Sequence, residues 1–223
     1  MENGAFLEIE YTGRIKETGE IFDLTDEKTA KDNKIYSPKT KYGPVTIILG
    51  ENMILKGVEE ELKTMKSGET KKITLAPENA FGKRDPNMLK VFALSRFQSQ
   101  RIYPVVGQFI TLGNNTSGKV ISVSAGRVRL DFNHPLSGKS LEYELKLDSE
   151  IKDPAKKIEF MLTGLLGYEK KDTEITISGE NAKISLTNAA KLSAEIKSKI
   201  TEQLKKYIPE IKEIEIAEKT GKI

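Results

Sequence analysis

The chain has 223 residues, carries 36 Lys and Arg against 33 Asp and Glu for a net charge of +3, and holds one histidine and no cysteine. Without cysteine there are no disulfides, no thiol catalysis and no cysteine metal sites, and a zinc site built on one histidine needs unusual carboxylate ligands. Charges of both signs are interspersed, which points to an ion-pair-laced surface rather than a nucleic-acid footprint.

From Ala5 to Ile15 apolar and polar residues alternate. Ala5, Leu7, Ile9 and Tyr11 share one face, Glu8 and Glu10 the other, which predicts a half-buried strand. Gly13 marks a bulge or a close backbone approach. Residues 16–20 read as a turn and 21–24 as a short strand. Residues 25–43 are long, charged and poor in apolar side chains, which predicts an exposed loop. An apolar strand is expected at 44–50. Leu55, Val58, Leu62 and Met65 then recur at helical spacing, with Lys63 and Lys66 in the last turn and Gly68 as a C-cap. Residues 70–82 read as a strand running into a turn.

From 83 to 131 the texture changes to short β-like runs between Gly, Asn and Ser turns, which predicts a small all-β unit. Leu141, Tyr143, Leu145 and Leu147 alternate with charged residues, again a half-buried strand. Asp153-Pro154 is a helix start, followed by the apolar stripe of Ile158, Met161, Leu162 and Leu165. A hairpin is expected around Gly179–Asn181, a helix over about 189–207, and a last strand at 212–218.

Most catalytic signatures are missing. There is no G-x-S-x-G, P-loop, G-x-G-x-x-G or H-E-x-x-H pattern. No run of about 18 apolar residues predicts a membrane span. Residues 1–13 lack the basic and apolar regions of a signal peptide, so the expected location is cytoplasmic. Abundant Lys, Glu and Ile without Cys or Trp fit a heat-adapted protein. The pattern favours an activity that needs no nucleophile, metal or cofactor. His134, in the stretch Phe132–Leu145, is open to three readings: catalyst, metal ligand or turn residue. Its place before Pro135 and between Asn133 and Gly138 favours the turn.

Tyr11-Thr12-Gly13, Phe22-Asp23, Pro44…Leu49-Gly50, Ile54 to Glu59, Gly68-Glu69 and Ala80-Phe81-Gly82 occur in that order. This resembles an FKBP-type peptidyl-prolyl cis-trans isomerase. The interruption after Gly82 and the resumption at Phe132 to Lys139 resemble the SlyD-like branch, in which a chaperone domain sits in the flap. Residues 154–223 resemble the extension of long archaeal members.

The resemblance implies an α+β fold, an antiparallel sheet wrapped on one helix, with a small inserted all-β domain and a C-terminal α/β domain. The expected domains are 1–84 plus 133–153, 85–132 and 154–223. It further implies that Tyr11, Phe22, Val45, Ile54, Leu55, Val58, Phe81 and Tyr143 line a prolyl pocket. Asp23 is its polar wall, held by the Tyr11 hydroxyl, and the Leu55 N–H binds a substrate carbonyl. Val58 stands where a tryptophan often forms the pocket floor, and Phe81 where a tyrosine hydroxyl often bonds the ligand. His134 is then a turn residue at the end of the insertion, with modulation of the pocket as the alternative. The implied partners are unfolded or nascent chains containing X-Pro bonds, bound through the insert, and a homodimer through 154–223. A decayed pocket on a chaperone and a basic RNA-binding module are the rivals.

Overall fold

A computed structural model describes residues 1–113, 115–187 and 192–219. In chain order the elements are β1 (Phe6–Ile15), β2 (Ile21–Leu24), α1 (Glu27–Asp32), β3 (Val45–Ile48), α2 (Lys56–Thr64), β4 (Thr70–Leu75), β5 (Leu89–Ala93) and α3 (Leu94–Gln98). There follow β6 (Phe109–Thr111), β7 (Ser117–Ser124), β8 (Arg127–Asp131), β9 (Leu141–Ile151), α4 (Pro154–Phe160), β10 (Thr173–Ser178), β11 (Asn181–Thr187), α5 (Ala194–Tyr207) and β12 (Glu213–Lys219). One sheet runs β2-β1-β9-β4 with β3 added on β1; the others run β5-β8-β7-β6 and β10-β11-β12. The contacts group the chain into two compact units. One holds Met1–Thr12, Asp23–Lys72 and Glu144–Ile223, the other Gly13–Phe22 and Ile73–Tyr143.

In the first unit, β1 pairs antiparallel with β3, Phe6 opposite Ile48 and Ile9 opposite Val45. The alternation reads one apolar face, yet Phe6 is as fully buried as Leu7 and Ile9. The second face is covered by the C-terminal segment. Phe6 and Ile48 share a core with Ile158, Leu162, Ile184 and Leu204. The Phe6 ring meets Phe160 edge-on at 6.1 Å and Tyr207 at 6.4 Å, and Lys157 lies over it at 5.7 Å. A strand apolar on both faces at one end therefore marks where a second layer docks.

The helix starts follow from local chemistry. The Asp153 carboxylate accepts the Ala155 N–H at 2.9 Å, with Pro154 in the first turn. Ser193 caps α5 through the Ile196 N–H at 3.3 Å; the expected helix residues 189–191 lie outside the described residues. The last turn of α4 widens into a π-helix at Met161–Leu165. β10 and β11 form the expected hairpin, closed at Ser178 and Asn181, and β12 returns parallel to β11.

Two expectations are corrected. The 25–43 stretch contains α1, because Asp26 caps it through the Thr29 N–H and Glu27 pairs with Lys31 at 2.6 Å. Ala30 is its one buried residue, too little to write an apolar period. The inserted unit is not all-β either. It contains α3, which anchors itself by the single buried ring of Phe97.

In the second unit, the insertion is tied at its root by Asn133. Its amide donates to the Asp85 carbonyl at 3.0 Å and to Asp131 Oδ1 at 2.7 Å, and its Oδ1 accepts the Asp85 N–H at 2.8 Å. Asp131 also accepts the Asn133 N–H at 2.9 Å and pairs with Arg84. Burial raises the pKa of Asp131, but the Asn133 N–H, its amide and the Arg84 charge outweigh that and hold the carboxyl below its usual range.

Two outcomes follow. Replacing Phe6 by alanine is expected to cost about 3–5 kcal/mol in denaturant unfolding; a cost under about 1 kcal/mol would show that the C-terminal layer does not rest on this ring. Asp131 stabilises fully above the unfolded carboxyl pKa of about 3.9, and that contribution is lost as pH falls through the lower folded value. Asp131→Ala should therefore cost about 1–3 kcal/mol at neutral pH, with the gap to wild type narrowing below about pH 4. A gap that does not change with pH contradicts this assignment.

Candidate functional site

The residues singled out by sequence fall into two groups. In the first unit, Tyr11 on β1 donates its hydroxyl to Asp23 Oδ2 at 2.9 Å. The same stretch of β1 is held to the chain after β2: the Thr25 N–H donates to the Tyr11 carbonyl at 2.9 Å, and the Tyr11 N–H donates to Thr25 Oγ1 at 2.9 Å. Asp23 itself is exposed. A carboxylate fixed by a phenol at the end of a short strand is oriented without being desolvated.

Leu55 is the N-cap of α2. It has extended backbone (φ −56°, ψ 138°) and no side-chain cap, and its carbonyl accepts the Val58 N–H at 2.8 Å and the Glu59 N–H at 3.0 Å. Among the described residues its own N–H has no acceptor. A free N–H at the start of a helix suits a carbonyl oxygen. Val58 is fully buried one turn on; Ile54 and Leu55 are half-buried. Val45 is also half-buried and lies along a cleft of about 670 Å³ shared with Thr46, Met53, Phe160 and Tyr168.

In the second unit, three aromatic rings meet. Phe22 packs edge-on against Phe81 at 6.2 Å and against Tyr143 at 5.8 Å, a favoured ring geometry. Tyr143 is buried, while Phe22 and Phe81 are half-buried. Gly13 makes this possible. A Cβ there would stand 2.7 Å from the Phe22 ring, so this glycine marks a close backbone approach.

His134 does two things. Its Nδ1 accepts the Leu136 N–H at 3.2 Å and its carbonyl accepts the Ser137 N–H at 2.9 Å, which makes it a turn residue. Its ring also stacks on Phe81, 4.3 Å between centroids and 5° from parallel. The turn then grips the Phe81 segment: the Ser137 hydroxyl donates to the Phe81 carbonyl at 3.1 Å, and the Gly138 N–H to the Gly82 carbonyl at 2.8 Å. Sequence reasoning did not name His134, Ser137 or Gly138 as supports of Phe81. The available signal was their position directly after the insertion that begins at Phe81-Gly82.

Among the described residues, no group of three or more His, Asp or Glu could hold a metal ion, and no helix is long and apolar enough to cross a membrane.

Comparison with known proteins bears on this arrangement. A family model described as FKBP-type peptidyl-prolyl cis-trans isomerase matches residues 1–93, and one described as FKBP26, IF domain, matches 90–136. The short-type peptidyl-prolyl cis-trans isomerase of Methanocaldococcus jannaschii is 33% identical over 147 residues, 66% of this chain and 92% of that protein. A probable FKBP-type 16 kDa isomerase of Pseudomonas fluorescens is 31% identical over 106 residues, 47% of this chain and 71% of that one. The FKBP-type isomerase SlyD of Helicobacter pylori is 32% identical over 108 residues, 47% of this chain and 57% of that one. With motifs, insertion and relatives in agreement, this chain belongs to the FKBP-type peptidyl-prolyl cis-trans isomerase family and is an enzyme of that class.

Proposed function

We propose that residues 1–84 with 133–153 act as the isomerase domain, that 85–132 capture unfolded chains, and that 154–223 form a third domain. On the family motif, Phe22, Val45, Ile54, Val58, Phe81 and Tyr143 provide the apolar surroundings of the substrate proline. Asp23, oriented by Tyr11, is the polar wall, and the Leu55 N–H takes a substrate carbonyl.

Rotation about an X-Pro bond faces a barrier of about 18–20 kcal/mol, set by amide resonance. The twisted amide has lost that resonance and is less charge-separated than the planar one. Apolar surroundings therefore favour the twisted state, and no proton needs to move. A reduction of about 5 kcal/mol gives a few-thousand-fold acceleration. Desolvation and one or two oriented hydrogen bonds are of that size. The observation that carries this reading is the cluster of Phe22, Phe81 and Tyr143, packed edge to ring with no titratable side chain needed. Phe81 brings no hydroxyl, so the site has one donor fewer than a tyrosine there would give.

Support for capture by the insert is its apolar surface. Tyr103 is 73% exposed, and Val105, Val106 and Phe109 each exceed half. Groups of this size in water mark a binding surface. A bound chain holds its prolines near the isomerase domain and raises their effective concentration. Self-association through 154–223 has support in the exposed Leu165, Leu166 and Ile196.

Proline-limited refolding of an unfolded client tests the site. Asp23→Ala, Phe81→Ala and Gly13→Ala are each expected to lower kcat/KM about tenfold or more, at least about 1.4 kcal/mol of transition-state stabilisation. The glycine variant acts only by displacing the Phe22 ring. Variants as active as wild type would move the site elsewhere. Deleting 86–131 should leave catalysis on a short peptide largely intact while refolding of a whole protein drops sharply; equal loss in both assays contradicts capture by the insert. Sedimentation of wild type beside Leu165→Ser/Leu166→Ser reads the association, and a wild-type monomer removes it.

A further inference from the structure

The insert has a charge that the rest of the chain lacks. Residues 85–132 contain six Lys or Arg against two Asp, a net +4 in a chain whose total is +3, so the remainder sums to −1. Four of the six arginines of the chain lie here. Asp131 is already engaged by Arg84, which lies outside the span.

Strand geometry places part of this charge on one face. Along β8, Val128 and Leu130 are fully buried, so Arg127 and Arg129 point the other way. In register, Arg129 stands between Val91 of β5 and Ser122 of β7, and Arg127 between Ala93 and Ser124. A bulge between Val120 and Ser122 keeps this alignment by setting Ile121 and Ser122 together across from Arg129. Val91, Ser122, Ser124, Ala125, Arg127 and Arg129 line a concavity of about 500 Å³. Among the described residues neither arginine has a carboxylate or other hydrogen-bond partner, whereas the Lys residues 146, 157, 170, 183 and 206 all pair with carboxylates.

Two free guanidinium forks, two hydroxyls and the exposed side chain of Val91 (59% exposed) make an amphipathic anion site. Same-face residues on a strand stand about 7 Å apart, the spacing of alternate side chains on any extended chain. Carboxylates at alternate positions of an extended segment therefore meet both arginines, where bidentate pairing is available. The lining contains no aromatic ring, so a nucleic acid strand finds no base-stacking platform here.

We infer that this face of the insert selects acidic segments of unfolded polypeptides, extended stretches with carboxylates at alternate positions beside apolar residues. This deepens the proposal that the insert captures clients and rests on it.

The test titrates the full chain with fluorescent twelve-residue peptides of alternating Glu-Val and Gln-Val, and with a single-stranded RNA twelve-mer. The Glu-Val peptide is expected to bind about tenfold or more tighter than Gln-Val at about 0.1 M salt, with the difference shrinking at about 1 M. Arg127→Gln/Arg129→Gln, which keeps side-chain length, should abolish that preference, leave Gln-Val binding in place and leave isomerisation of a proline tetrapeptide within about twofold of wild type. Equal binding of both peptides by wild type overturns the acidic selection while capture by the insert survives. Binding of neither peptide overturns both. RNA bound more tightly than Glu-Val, and lost in the double variant, overturns the inference in favour of a nucleic-acid surface.

Discussion

The insertion is closed at its root by the clasp made by Asn133. Setting a folded module into a loop requires its two ends to leave and re-enter the host chain side by side. Asn133 meets that requirement with one side chain. It exchanges two hydrogen bonds with the backbone of Asp85 on the outgoing chain and donates a third, on its own side of the root, to Asp131. Asp131 is buried, and an unpaired carboxylate there would cost several kcal/mol; Arg84 and Asn133 remove that cost. The Asn-His-Pro stretch, with the one histidine of the chain, is thus first a solution to a closure problem.

The clasp also reaches the chemistry. Directly after Asn133 the chain lays the His134 ring on Phe81 and pins the Phe81 and Gly82 carbonyls with Ser137 and Gly138. Phe81 is in turn edge-on to Phe22, and Phe22 occupies the space a Cβ of Gly13 would need. The aromatic group is a series of mutually dependent rings held at both ends by backbone. Such rigidity suits a reaction whose transition state differs from its ground state by a twist and a loss of polarity, because the surroundings must not collapse or admit water as the amide rotates. In the proposed site, Phe81 supplies apolar surface where a hydroxyl is common in the family, and the position of its ring is set from behind.

How much of this was legible in the sequence depended on range. Period-two alternation from Ala5 to Tyr11 and from Leu141 to Leu147, and the helical stripe Leu55, Val58, Leu62, are long enough to average over local exceptions, and those elements stand where the pattern puts them. The five- and six-residue helices α3 and α1 are not, since each buries a single side chain. Phe6 shares its parity with Glu8 and Glu10, and alternation alone knows nothing of a second layer arriving from residues 154–208. For the candidate site, the ordered motif named Tyr11, Asp23, Phe22 and Phe81, and Gly13 carried its own signal of close approach. The stack of His134 on Phe81 joins residues separated by the whole insertion, and no local periodicity records a contact of that span.

Charge follows the same rule, with a different consequence. Over the full chain the signs are nearly balanced, and many lysines pair with carboxylates, as in Lys31–Glu27 and Lys199–Glu195, each pair worth little to stability. Arginine is placed differently: four of six lie in the insert, and Arg127 and Arg129 share a sheet face with Asp131, whose carboxylate is already engaged by Arg84 and Asn133. Exposed guanidinium groups left unpaired add nothing to the folding of the insert, and like charges on one face oppose it. Their persistence beside Val91 and the bulged Ile121 makes physical sense as stability given up for recognition. On the proposed reading, the insert holds a chain by charge as well as by apolar area, and releases it as the segment folds and withdraws its carboxylates.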